Sequence, residues 1–180
     1  NVCWFTGYCR QDDKNYVIVK QENKKSYSRK WLYGLYDLNR KELLLKDANE
    51  IEEMFDAVYV SYGDSDFLYD YEHRRPLTRP FKDGSRVMNG PLLFSYVDAK
   101  TYGSTFEYYI YDDYHKKEHG PFGYVGQCLN NDNLVIVQPL NEPECRRIFN
   151  IDTDNFITED RYQSIGPVNS YISVCQLLDN

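Results

Sequence analysis

Residues 115–119 read His-Lys-Lys-Glu-His, the spacing of an inverted zinc-hydrolase motif. That chemistry needs His115 and His119 on one helical face, with Glu118 placed to polarise a metal-bound water. The flanks oppose the helix: Asp112-Asp113 precede the motif and Gly120-Pro121 follow it at once. A third ligand would have to come from elsewhere. The stretch therefore reads as a solvated charged loop, and no metal or cofactor is expected. Asp152-x-Asp154-Asn155 opens like a calcium loop, but Phe156 takes the next oxygen-ligand position and no loop glycine follows. The remaining histidine, His73, lies in no recognisable nucleophile context, and neither a P-loop nor a G-x-G-x-x-G run occurs.

The elements that would position such residues belong to a chain of 180 residues, enough for one domain spanning 1–180 with a real core. Hydrophobic content of 42% and aromatic content of 16% exclude a disordered chain. The net charge of −7 opposes strong nucleic-acid binding at neutral pH, because phosphates repel an acidic surface. Two local basic patches stand against that balance, Asn23–Lys30 and the group Arg74, Arg75 and Arg79, and both read as solvated loops. No apolar run approaches the ~20 residues of a membrane span. The eighteen tyrosines could form a ligand platform, but many fall at strand positions where Tyr simply packs well.

Cysteines stand at 3, 9, 128, 145 and 175, without the close pair spacing of a zinc knuckle. Spread so widely, they read as disulfides of an oxidising compartment, with one thiol left free or bonded to another chain. The first residue is Asn1 rather than Met, which fits removal of a signal peptide or a trimmed chain. A secreted, extracellular protein is the expectation, although no Asn-x-Ser/Thr site supports it.

Tyr16–Lys20, Trp31–Leu38, Phe67–Tyr71, Pro91–Val97, Ser104–Tyr111 and Asn133–Val137 all read as strands. Ile148–Ile157 is mixed, and Asn169–Leu178 suits a last strand or a helical turn. One segment predicts a helix: Ile51, Met54, Phe55, Val58 and Tyr59 make a helical stripe, with Asp47 and Glu50 as its capping box. No internal repeat is apparent. The pattern suggests an α/β or α+β domain, a mixed sheet with flanking helices.

Taken in order, several stretches resemble the N-terminal half of the deoxyribonuclease II family, whose enzymes share the phospholipase D-like design. Cys9 precedes the Tyr16–Lys20 strand, Trp31–Asp37 is similar to the family's tyrosine-rich strand, and Phe67–Pro76 to the next one. Tyr124–Cys128 is similar to a family Tyr-Gly-Gln stretch beside a cysteine. The resemblance implies a Cys9–Cys128 disulfide and one half of a phospholipase D-like fold. It places Ser85–Leu93 at the family's catalytic His-x-Lys element, where this chain carries Val87 and Asn89. Val87 can neither attack phosphorus nor move a proton, and Asn89 has no charge for a phosphate.

The resemblance thus implies a secreted, catalytically inactive relative that acts by binding a protein or small ligand, with self-association into a homodimer left open. Two alternatives stand beside it. One is an active acid endonuclease or hydrolase using His73 or His115 and His119; the other is an unrelated secreted β-rich ligand-binding protein. The pairing of Cys3, Cys145 and Cys175 is left open.

Overall fold

Every described element of the computed structural model is a β-strand. The structure describes residues 3–8, 16–23, 31–87, 92–129, 133–157, 159–167 and 173–177, with the backbone alone at 3–8, 166–167 and 173–177. No helix among them is long and apolar enough to cross a membrane. The expected α/β or α+β sheet with flanking helices, and with it the half phospholipase D-like fold, is corrected to an all-β architecture of antiparallel sheets. The chain divides into two compact units, Asn1–Pro80 and Phe81–Asn180.

In the first unit, β1 (Cys3–Tyr8), β2 (Tyr16–Glu22), β3 (Trp31–Asp37) and β4 (Glu42–Ala48) pair antiparallel in chain order. The next two strands are the segment expected to be helical. β5 (Glu50–Met54) and β6 (Ala57–Ser61) form a hairpin from Glu50↔Ser61 to Met54↔Ala57, turning at Phe55 and Asp56. Phe55 takes φ 56°, the left-handed conformation that matches a tight hairpin to strand twist. Two period-two alternations across a two-residue turn reproduce helical spacing by coincidence. The real inward set is Ile51, Val58 and Val60, while Met54, Phe55 and Tyr59 are only half-buried. β7 (Asp66–Asp70) and the short β8 (Arg75–Pro76) follow, and Ile18, Leu35 and Ala48 pack with Ile51, Val58, Val60, Tyr69 and Tyr71 in one core.

The second unit is a meander. β9 (Phe81–Arg86), β10 (Leu93–Asp98), β11 (Tyr108–Asp112), β12 (Lys117–Leu129), β13 (Leu134–Pro139), β14 (Arg147–Asn150) and β15 (Asn155–Phe156) neighbour one another in sequence order. β16 (Tyr162–Pro167) and β17 (Ser173–Leu177) form a separate hairpin, tied to the meander by an Arg146↔Tyr162 bridge. One core gathers Val87, Ile110, Phe122, Cys128, Val135, Val137 and Phe149.

A repeat does run through the chain, contrary to the expectation of none. Asp37↔Glu42, Asp70↔Arg75, Asp112↔Lys117 and Asn150↔Asn155 each close a hairpin whose partners are five residues apart. In each of the first three, the Asp Oδ1 accepts the backbone N–H groups two and three residues on: Asn39 and Arg40, Glu72 and His73, Tyr114 and His115. Asn150 Oδ1 accepts from Thr153 N–H. The last loop residue is left-handed every time: Lys41 at 56°, Arg74 at 57°, Lys116 at 52° and Asp154 at 56°. A short acceptor side chain that mimics a backbone turn is the physical reason for Asx at this position.

Candidate functional site

The histidines fall into this repeat. His73 and His115 both stand three residues after the turn Asp, and each Nδ1 meets that same carboxylate, at 2.7 Å from Asp70 Oδ2 and 2.5 Å from Asp112 Oδ2. They are turn closers. His119 does not lie in a solvated loop as expected: it is on β12, 2% exposed, paired with Ile110 across the sheet. Its Nδ1 is 2.7 Å from Asp154 Oδ1, while Nε2 has no hydrogen-bond partner among the described residues and faces Asp112 Oδ2 at 3.9 Å. Glu118 is also engaged, taking a hydrogen bond from Tyr96 Oη. The side chains of an inverted zinc motif are thus split between a turn and two faces of a strand. Among the described residues no group of three or more His, Cys, Asp or Glu is arranged to hold a metal ion.

These turns are fastened to their neighbours by charge. Arg74, in the second turn, donates from Nη2 to Asp37 Oδ2 at 2.7 Å and from Nη1 to Glu42, both of the first hairpin. The expected basic patch at Arg74, Arg75 and Arg79 therefore has its first member consumed in an internal clasp; residues 24–30 of the other patch lie outside the described residues. In the second unit, Lys117 Nζ and His119 Nδ1 hold Asp154 at 2.6 and 2.7 Å, and His115 Nε2 is 4.0 Å from Asp152. Lys117 first, and then His119, lowers the Asp154 carboxyl below its ordinary range. The Arg40 backbone N–H chiefly lowers Asp37; at Asp70 burial pushes upward but the contacts from His73 outweigh it. Carboxyls lowered in the folded state bind fewer protons than in the unfolded chain. Their stabilisation is complete above the unfolded carboxylate value of about 4 and is lost as pH falls through the lower folded values. The urea midpoint is expected to drop steeply below about pH 4, and Asp154→Asn to flatten part of that drop; an identical profile in the variant would show that the clasp does not contribute.

A different region of the second unit has the geometry of a binding site. A cleft of about 580 Å³ is lined by Ser85, Arg86 and Val87, by Ser95, by Tyr124–Gln127, by Ile136 and Arg146, and by Gln163–Ile165. That volume falls within the ~300–1,000 Å³ of ligand clefts. Its β12 wall is bulged twice. The register passes from Phe122↔Pro139 to Tyr124↔Gln138, and from Val125↔Val137 to Cys128↔Val135. Such bulges re-aim side chains beside functional sites.

The first bulge sets an arginine. A Cβ on Gly123 would stand 2.8 Å from Gln138 Nε2, so the glycine lets the Gln138 side chain lie across the strand. Gln138 Oε1 then accepts from Arg146 Nη1, and the Arg146 guanidinium stacks 4.4 Å from the Tyr124 ring centroid. Both groups that hold Arg146 are neutral. Three other arginines meet carboxylates: Arg74 meets Asp37 and Glu42, Arg147 meets Glu142 and Glu159, and Arg161 meets Glu142. Among the described residues no acidic one lines the cleft, although acidic residues outnumber basic ones by 28 to 21 in the chain. A half-buried, orientated guanidinium without a counter-ion is built to receive one.

Of the stretches singled out in the sequence, Ser85–Leu93 gives the cleft Ser85, Arg86 and Val87, and Tyr124–Cys128 gives it Tyr124 to Gln127; Cys9 and Asn89 lie outside the described residues, so the Cys9–Cys128 pairing stays an expectation. Cys128 is buried on β12, and the Cys145 thiol, pushed up to about 11 by burial and by Glu142, donates to Glu142 Oε2 at 3.0 Å. Arg146 gave no usable signal in the sequence, since its lack of a carboxylate partner is visible only once Glu142 is seen to serve Arg147 and Arg161.

No family model matches the chain and no curated protein does. Among solved structures it is similar to a chain of the mitotic checkpoint complex (11% identity over 84% of this chain and 51% of that one, TM-score 0.33). It is also similar to KlHsv2 with loop 6CD replaced by a Gly-Ser linker (17%, 85% and 53%, 0.34) and to TolB from Acinetobacter baumannii (13%, 80% and 41%, 0.31). These neighbours are β-propeller-type proteins. The chain spans about half the length of the structures it resembles, and likenesses this weak assign it no function.

Proposed function

We propose that this chain acts by binding rather than by catalysis, and that the Arg146 cleft takes an anionic ligand. The observation that carries the proposal is Arg146 itself, orientated by Tyr124 and Gln138, with no carboxylate among the described lining residues. The secreted setting expected from the cysteines belongs to the same proposal. The non-catalytic half of it draws on the histidines: the Nδ1 atoms of His73, His115 and His119 all meet carboxylates that close or clasp turns.

Sodium glutarate, a small dicarboxylate, is the probe. It is expected to raise the thermal midpoint saturably in the native chain and to leave Arg146→Gln unmoved. Equal shifts in both proteins, or none in either, would refute the site. Incubation with plasmid at pH 5 and 7 tests the catalytic alternative: intact plasmid is expected, and cleavage abolished by His115→Ala would overturn the non-catalytic reading.

A further inference from the structure

Resting on that anion-binding reading, we infer that the ligand of the cleft is a short extended peptide segment with an acidic side chain between aliphatic ones. The lining alternates in chemistry. Val125, Ile136 and Ile165 supply apolar surface, and Ser85, Ser95, Gln127, Gln163 and Ser164 supply neutral hydrogen-bonding groups around two guanidinium groups, the exposed Arg86 and the orientated Arg146. A free inorganic anion leaves that apolar surface without a partner, whereas an acidic residue flanked by valine or leucine covers it and brings one planar carboxylate to the Arg146 fork.

The main chain favours the same ligand. At the second bulge, Gly126 and Gln127 together oppose Ile136, between the Val125↔Val137 and Cys128↔Val135 pairs. A bulge takes the extra residue's polar main-chain groups out of the ladder, and Gly126 and Gln127 both line the cleft. Extended peptides are recognised by such groups through their own backbone, with pockets reading alternate side chains. A nucleotide fits less well. Tyr124 is the one aromatic ring among the described lining residues, and it is already occupied, with Arg146 stacked on it at 4.4 Å and Tyr108 edge-on at 6.4 Å. A base would have to compete with Arg146 for that ring, and the net charge of −7 opposes a chain of phosphates more than a single carboxylate.

Fluorescence anisotropy tests this with a fluorescein-labelled octapeptide of alternating Glu and Val, its Gln–Val counterpart, a labelled oligothymidylate and unlabelled glutarate as competitor. The Glu–Val peptide is expected to bind at least ~10-fold more tightly than the Gln–Val peptide and to be displaced by glutarate, since a charge-assisted pair is lost in the neutral peptide. Arg146→Gln should erase the difference between the two peptides. Gln127→Glu, a change at a half-exposed lining position that sets a carboxylate in the cleft, should weaken the Glu–Val peptide by a similar factor with the circular dichroism spectrum unchanged. Glutarate binding without peptide binding would overturn the peptide inference and leave the anion site standing. Binding of neither would sink both. Equal affinity for the two peptides, or preference for the oligothymidylate, would also overturn it.

Discussion

Asp112→Ala is expected to destabilise the second unit by about 3–5 kcal/mol, at roughly 1–3 kcal/mol for each polar partner left unsatisfied. The Asp112 side chain is 2% exposed. Its Oδ1 accepts the N–H groups of Tyr114 at 2.9 Å and His115 at 3.3 Å, and its Oδ2 sits 2.5 Å from His115 Nδ1 and 3.9 Å from the orphan His119 Nε2. Alanine would leave two backbone donors and a ring nitrogen without an acceptor, and would remove the side chain that imitates a turn. Asp112→Asn keeps one oxygen for the backbone pair and should cost about 1–2 kcal/mol, the scale of a lost charge-assisted hydrogen bond. Urea unfolding followed by circular dichroism separates the two variants, and a midpoint for Asp112→Ala equal to that of Asp112→Asn would show that the turn does not depend on a side-chain acceptor at this position.

Phe149→Ala should be comparably severe, about 3–5 kcal/mol for deleting a buried ring whose surroundings cannot collapse. Phe149 is 6% exposed and contacts three rings edge-on: Phe122 at 5.2 Å, Phe156 at 5.6 Å and His119 at 5.8 Å. It joins β12, β14 and β15, so its loss also loosens the strand that carries Asp154 at its turn. Phe149→Leu fills most of the space and should cost about 1–1.5 kcal/mol, as volume-conserving core changes do. The same unfolding curves decide this; a loss below that of the leucine variant would mean the aromatic cluster is not a principal part of the core.

Much of the strand pattern was legible, because alternation and β-branched or aromatic residues report directly on a pleated, half-buried surface. Tyr16–Lys20, Phe67–Tyr71 and Asn133–Val137 fall on β2, β7 and β13. The helix failed where Phe55 and Asp56 turned the chain: neither residue advertises a turn, and both flanking strands are short. The repeat is hidden in the sequence for a related reason. Its markers, Tyr36-Asp37, Tyr69-Asp70, Tyr111-Asp112 and Phe149-Asn150, are unevenly spaced along the chain, and the positions between marker and strand vary freely because only their backbone enters the turn. A search for an aromatic followed by Asx, five residues before a strand, would have found it and would have explained His73 and His115 at the same time. The cleft was not legible at all. It depends on register shifts in β12 and on Gly123 yielding room to Gln138, neither of which leaves a trace in composition or periodicity.

The recurrence of a hairpin closed by its own side chain bears on how the chain reaches this structure. Each closure joins residues five apart, and in the second unit each strand from β9 to β15 pairs with the next one along the chain. Closing so short a loop sacrifices little chain entropy, and isolated hairpins of this kind form within roughly 1–10 μs. Several nuclei can therefore start independently and zip toward one another, each already carrying the acidic or basic groups by which adjacent turns clasp. An all-β protein built this way sidesteps the slow search for distant strand partners that usually limits its class.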